Sequence, residues 1–341
     1  MSRYLLRSIL PVGLFLILCG SPNFAMALSD NSAESPFYIA PKASFLLVDL
    51  PEYAPIAVRE RSGGVGPWRL KDRIATEEGR LGGPRFGLTL GWNSPDSSLS
   101  GHPFFVEANG YASYMSNEQS STIGDAAGNR VGWYPINGEY SAISHTEGVA
   151  VTSSRIVNQY GGEILVGIEI PLDDDWAVTP YFGYSGMYID QRFDTAAKLL
   201  VGGANMVLQE TISGLYNGVT GGARWKYSKD NIEWYASTSG AVQHVIAQYQ
   251  GHQVDSHEGY DITHSDERSK FAVQGKIEAG VSYTINAWTV GVTSGAEYIS
   301  AVPKIIASDK SSVYSFPADS THVGWGSSMV YELGLKFSYH F

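Results

Sequence analysis

The sequence predicts an all-β fold: an antiparallel β-barrel that crosses a lipid bilayer on about ten strands. Three observations predict it. Apolar and polar residues alternate in segments of about ten residues or more, and clusters of Gly, Asp, Asn and Ser separate those segments. Beyond the N-terminal region no apolar run reaches the 18 residues of a membrane helix. The chain also carries 21 Tyr, 8 Trp and 38 Gly while its mean hydropathy is slightly negative. The physical reason for the fold is backbone satisfaction. In hydrocarbon every N–H and C=O needs an internal partner, so a sheet must close on itself. Lipid outside and polar groups inside then impose a period of two.

The first 27 residues read as an export signal. Arg3 and Arg7 make a positive start, Ile9 to Cys19 are largely apolar, and Ala25-Met26-Ala27 supplies the small-x-small cleavage pattern. The apolar run is too short to span a bilayer as a helix. A lipoprotein signal would acylate Cys19, but Leu18 stands where such signals carry a small residue. The expected organisation is a signal peptide over 1–27, a short periplasmic segment over 28–36 and a barrel over 37–341. Cys19 is the only cysteine, so the mature chain is expected to hold no disulfide and no cysteine metal site. Cleavage removes two Arg and no acid, taking the formal charge below its precursor value of −11. A chain that acidic is a poor nucleic-acid binder.

The clearest strand has Phe271, Val273, Gly275, Ile277, Ala279, Val281, Tyr283 and Ile285 on one face. Gln274, Lys276, Glu278, Ser282 and Thr284 lie on the other. Asn286-Ala287 separates it from a second alternating run that starts at Trp288, which reads as a hairpin. Extended along the chain, the pattern places strands near 37–49, 84–93, 102–116, 155–171, 176–192, 213–228, 232–248, 269–285, 288–302 and 328–341. Pro41 interrupts the first of these, because it removes a ladder donor. The connections alternate between short periplasmic turns and long extracellular loops, as such barrels require. A further hairpin within 117–154 would make twelve strands. Trp176, Tyr227, Trp234, Trp288, Tyr339 and Phe341 fall near the short turns, and Tyr188, Tyr249 and Tyr298 towards the long loops, as interfacial anchors.

The last strand alternates Tyr331, Leu333, Leu335, Phe337, Tyr339 and Phe341 with polar residues. It resembles the closing strand of bacterial outer-membrane β-barrel proteins, which ends in Phe with aromatics at alternate positions. The resemblance implies the outer membrane as location and that this strand is the signal read by the barrel-assembly machinery. It implies outer-membrane lipid and lipopolysaccharide as surroundings. Small-solute pores are the commonest members of that class, so it implies a narrow pore or transport protein.

The alternation assigns the ionisable residues Lys42, Arg85, Glu107, Glu163, Glu169, Arg224, Lys226, Glu233, Lys276, Glu278, Glu297, Glu332 and Lys336 to the lumen. Near-balance of sign predicts a salt-bridge network, because unpaired buried charge is costly. That network either plugs a narrow barrel or lines a constriction. The first long loop carries Arg59, Arg61, Arg69, Lys71 and Arg73, candidates for lipopolysaccharide phosphates, or else a solvated mixed-charge loop. The fourth holds His252, His257 and His264 among carboxylates, a donor set suited to a divalent metal but without a recognised spacing. No cofactor is expected. Ten strands with long outer loops also resemble the omptin proteases. Those pair an Asp couple on one loop with Asp-x-His on a facing loop. Asp255-Ser256-His257 has the second spacing, but only Asp125 stands on the second loop, so the site is incomplete and no catalytic residue is assigned. The expectations for function are thus a pore, a closed structural or adhesive barrel acting through its loops, and an omptin-like protease.

Overall fold

A computed structural model describes residues 36–61, 68–74, 79–94, 102–124, 130–138, 145–146, 148–201, 203, 205–256, 259–308 and 320–340. The export signal, Cys19, Asp125, His257 and Phe341 lie outside them. In chain order the strands begin with β1 (Phe37–Asp49), β2 (Ile56–Arg61), β3 (Trp68–Ile74), β4 (Arg80–Asn93) and β5 (Phe104–Gly124). Next come β6 (Arg130–Gly132), β7 (His145–Thr146), β8 (Gly148–Ile168), β9 (Ile170–Pro171) and β10 (Trp176–Leu199). The last five are β11 (Asn205–Lys229), β12 (Ile232–Asp255), β13 (Tyr260–Ile285), β14 (Trp288–Ile306) and β15 (His322–His340).

Ten long strands, β1, β4, β5, β8 and β10 to β15, pair antiparallel with their neighbours, and β15 pairs back onto β1 to close the barrel. The two-residue β9 extends β8 along β10. Among its described residues the region 117–154 adds no barrel hairpin. Instead β6 and β7 join β2 and β3 in a separate four-stranded sheet. β1 runs through Pro41 as an edge-free strand, but its pairing with β15 skips Ala40 and Pro41, where the donor is missing.

The short turns follow their residues. Asp230 and Asn286 open the two-residue turns at φ 54° each, a left-handed conformation that Asp and Asn tolerate. At the third turn the Asp173 carboxylate accepts from the amides of Asp175 at 2.9 Å and Trp176 at 2.8 Å.

The strands are longer than a membrane needs. Twenty-four residues of β12 span roughly 80 Å along the strand, or about 60 Å vertically at the usual tilt, against a hydrocarbon core of about 30 Å. The extra length lies at the extracellular ends. There the alternation changes sense. Towards the short turns apolar residues face out, as with Phe182, Val219, Trp225, Ile277, Ile285 and Leu333. Farther up, the apolar side chains turn inward: Met206, Leu208 and Ile212 on β11, and Val245, Ala247 and Tyr249 on β12. Their outward neighbours include Gln209, Thr211, Gln248, Gln250 and His252, with Val207 and Ile246 the apolar ones. The upper half is built as a soluble sheet is, wet outside and dry within. Tyr249 therefore sits in this core, fully buried, and not at the membrane interface the sequence suggested. Tyr298 does face outward. The aromatics near the turns form outward pairs, Trp176 with Tyr227 at 5.0 Å and Trp288 with Tyr339 at 4.7 Å.

Candidate functional site

The lumen has two storeys. The lower one, towards the short turns, holds the ionisable residues. Arg85 donates to Glu332 at 3.1 Å and to Gln159 at 2.9 Å, and lies 4.4 Å from the Tyr111 ring centre. Lys42 bridges Glu332 at 2.9 Å and Glu278 at 3.1 Å. Glu278 also meets Lys276 at 3.3 Å and accepts from the Tyr235 hydroxyl at 2.8 Å. Arg224 grips both oxygens of Glu107 at 3.2 Å, and Tyr38 donates to the same carboxylate. Lys226 and Glu169 pair at 2.9 Å near the periplasmic mouth, where both side chains remain partly exposed. Glu163 accepts from Asn109 at 3.1 Å and Glu297 from Gln274 at 2.5 Å. Glu233 and Lys336 face inward without an ion pair among the described residues.

The network therefore gathers residues from β1, β4, β5, β8, β11, β12, β13, β14 and β15. Alternation found the charged members because each has inward parity on its strand. It placed the neutral Gln274 on that face too, but passed over the neutral partners Tyr38, Asn109, Tyr111, Gln159 and Tyr235, which share that parity. The same test would have found them. Arg155 was also passed over, although it stands at the first position of the expected strand 155–171 with the same parity as Glu163. It is 1% exposed, donates to Gln191 at 2.5 Å and lies 5.0 Å from the Phe193 ring centre.

The upper storey is apolar and filled. β14 and β15 depart from the wall above a register shift between Ile299 and Val302. The Tyr216 hydroxyl on β11 donates to the Ala301 carbonyl at 2.8 Å, and Gln191 on β10 donates to the Pro303 carbonyl at 2.9 Å. The hairpin thus leans across the lumen to the opposite side. One buried cluster joins Ile299, Ala301 and Val302 to Val157, Met187, Ile189 and Tyr216.

Two further clusters cap it. Ile56, Val131, Trp133 and Ile136 pack on Val149, Val151, Leu199, Met206 and Leu208. Tyr53 packs on Phe193, Ile212, Tyr249, Ile305 and Val323. Polar fasteners secure this cap. The Trp133 indole donates to Asp255 at 2.6 Å, the Ile136 amide donates to Gln253 at 2.9 Å, and the Thr321 amide donates to the Ile136 carbonyl at 2.8 Å. Tyr53 and Tyr249 both donate to Glu210. Burial first, then the Glu210 carboxylate, raise the Tyr53 hydroxyl well above its ordinary range, so it stays a donor. A cavity of about 10 Å³, room for a single water, remains beside Arg73, Trp133 and Glu210.

The other sequence candidates fall as follows. Arg73 donates to the carbonyls of Ala307 at 3.2 Å and Ser308 at 2.5 Å and lies over Tyr134, so it is engaged within the cap. Arg59, Arg61, Arg69 and Lys71 lie on the β2–β3 hairpin. His252 meets Asp261 at 2.7 Å. His264 lies 6.1 Å from Tyr249, ring centre to ring centre. Among the described residues no three donors converge on a metal site. Asp255 of the Asp-x-His spacing is 1% exposed, with its carboxylate taken by Trp133. Tyr331, Leu333, Leu335 and Phe337 project from β15 into the lipid-facing surface.

A barrel closed by its own last strand, belted outside by apolar side chains and filled inside by paired charges belongs in one membrane. The chain is an outer-membrane β-barrel. No protein-family model and no curated protein match it. Among solved structures it is similar to the outer membrane protease OmpT from Escherichia coli, at 10% identity and a TM-score of 0.44, over 92% of this chain and 99% of that one. It is also similar to the translocator domain of the autotransporter NalP from Neisseria meningitidis, at 9% identity and a TM-score of 0.32, over 98% and 99%. A third is a Pseudomonas aeruginosa FadL homologue, at 8% identity and a TM-score of 0.27, over 90% of each chain. Identities this low extend no further than the barrel.

Proposed function

We propose that this is a closed barrel that acts at the cell surface, through its protruding wall and loops, and does not conduct solutes. The observation that carries the reading is the upper storey. A pore needs a polar path from end to end. Here Leu46, Met115, Val157, Tyr216, Val245 and Ile299 meet inside the barrel with exposures of 2% or less, and the cap sheet packs above them. Below, Lys42, Arg85, Glu278 and Glu332 spend their charges on one another.

The protease reading finds less support. Asp255 faces the core and already accepts a hydrogen bond, so it is not placed to orient an attacking water. The rim that rises above the membrane offers polar side chains on a rigid scaffold, which suits recognition of an external partner.

The test is single-channel recording in planar bilayers. The purified protein is expected to give no steps above noise. Steady, reproducible conductance steps from the intact protein would overturn the reading.

A further inference from the structure

The lipid-facing belt contains a polar island. On β11 the exposed Asn217 stands between Val219 below and Leu215 above. On β12 the exposed His244 stands between Val242 below and Ile246 above. All four aliphatic neighbours are exposed on the outer wall. Asn217 and His244 face each other directly across the two strands, so their side chains lie side by side on that wall.

Strand geometry sets the depth. Asn217 is eight residues above Trp225 and His244 ten above Trp234, two exposed tryptophans close to the short turn. At about 3.3 Å per residue and a tilt of about 40° these are rises of roughly 20 and 25 Å. The apolar belt of such a barrel is about 25 Å tall, so the island lies just inside its outer edge. At that level acyl chains join the carbonyls that link them to a headgroup.

A polar side chain facing hydrocarbon is costly unless it finds a partner, and a His on a membrane-embedded surface marks a site. The protein supplies only part of what is needed. The Tyr184 hydroxyl donates to Asn217 Oδ1 at 3.2 Å, which leaves the Asn217 NH2 as a donor with no acceptor among the described residues. His244 has the Phe271 ring edge-to-face at 5.4 Å and, among the described residues, no hydrogen-bond partner, so its ring N–H is also left to give. Gly186, beside Asn217 on β10, sets no side chain over the amide.

We infer that Asn217 and His244 together bind the acyl carbonyl, ester or amide, of one outer-leaflet lipid, whose chain lies down the wall over Val219 and Val242. Two neighbouring donors need an acceptor, and at this depth the bilayer supplies a carbonyl. A phosphate meets no fixed charge here. The row above the island reads Tyr188, Leu215, Ile246 and Ser269, and Lys270 has the inward parity of Ala272. The inference stands apart from the closed-barrel reading, since the wall meets lipid whether or not the lumen conducts.

Native mass spectrometry of the intact protein released from lipid nanodiscs tests it. From nanodiscs of dioleoyl phosphatidylcholine, one lipid is expected to stay on each barrel. From nanodiscs of the dioleyl ether analogue, which has the same headgroup and no carbonyl, retention should fall about tenfold, the scale of one or two hydrogen bonds. Asn217→Leu combined with His244→Leu should lower retention of the ester lipid by a similar factor, and leucine suits a lipid-facing position. Val290→Leu, lipid-facing on β14, should leave retention unchanged. Added lipopolysaccharide identifies the source. Its retention in place of phosphatidylcholine assigns the site to its acyl chains, and continued retention of phosphatidylcholine assigns it to a phospholipid.

Equal retention of the ester and ether lipids would overturn the inference, and so would undiminished retention by the double variant. Dimers of the intact protein that the double variant lacks would overturn it too, because they would give the island to a second copy of the chain. The ester–ether comparison uses the unaltered protein, so it decides the matter even if the leucines disturb folding.

Discussion

Replacing Glu332 by Leu removes the carboxylate that Lys42 and Arg85 share, at 2.9 Å and 3.1 Å. At an effective dielectric of about 20 each contact is worth about 5–6 kcal/mol of Coulomb attraction. Several kcal/mol of desolvation per ion oppose that gain, so removing one member of a buried pair typically costs about 3–5 kcal/mol net. Both cations keep something here. Arg85 retains Gln159 and the Tyr111 face, and Lys42 retains Glu278. The expected loss is therefore near the lower end, about 3 kcal/mol. Urea unfolding of the protein refolded into lipid vesicles, followed by tryptophan fluorescence, measures it. Glu233→Leu is the control, since that carboxylate faces inward without an ion pair among the described residues. A loss below about 1 kcal/mol, or one equal to the control, would refute the claim that the lower lumen is held by a cooperative ionic network.

Two other perturbations and one mass measurement test separate parts of the protein. Ile277→Arg places a charge on the lipid-facing surface, where Ile277 is 61% exposed; it should cost about 2–4 kcal/mol of membrane stability, with little effect if that face is wet. Asp255→Leu strands the buried Trp133 indole and should cost about 1–3 kcal/mol, read as faster exchange of the Ile136 amide and unchanged exchange near Asn286. Mass spectrometry of the exported chain should find Leu28 at its N-terminus; a mass that still includes Arg3 would remove the export-signal reading.

All ten barrel strands are legible in the sequence, and so are their periplasmic ends, because Asp230, Asn286 and Asp173 announce the turns while outward apolar residues keep strict period two. The extracellular ends are not. β12 continues past Gln248 to Asp255 and β8 begins at Gly148, because the alternation inverts where the surroundings outside change from lipid to water. Val245, Ala247 and Tyr249 look outward if apolar side chains are taken to face lipid throughout, yet the strand keeps its parity and only the chemistry changes sides. The same inversion hid the apolar upper core. Nor could the sequence disclose the inward lean of β14, which depends on Tyr216 and Gln191 reaching across the barrel from distant strands.

That inversion has a consequence for biogenesis. Arg192, Asp194, Lys198, Gln250 and His252 end up outside the barrel, above the lipid, yet they enter from the periplasm. During insertion each must traverse hydrocarbon on the wrong side of the wall, at a toll of roughly 2–4 kcal/mol for a cation at the midplane. A bare bilayer raises that barrier several times over for a single chain. A thinned or protein-lined passage lowers it, so unaided insertion of this barrel should be slow and strongly hastened in thin or defect-rich bilayers.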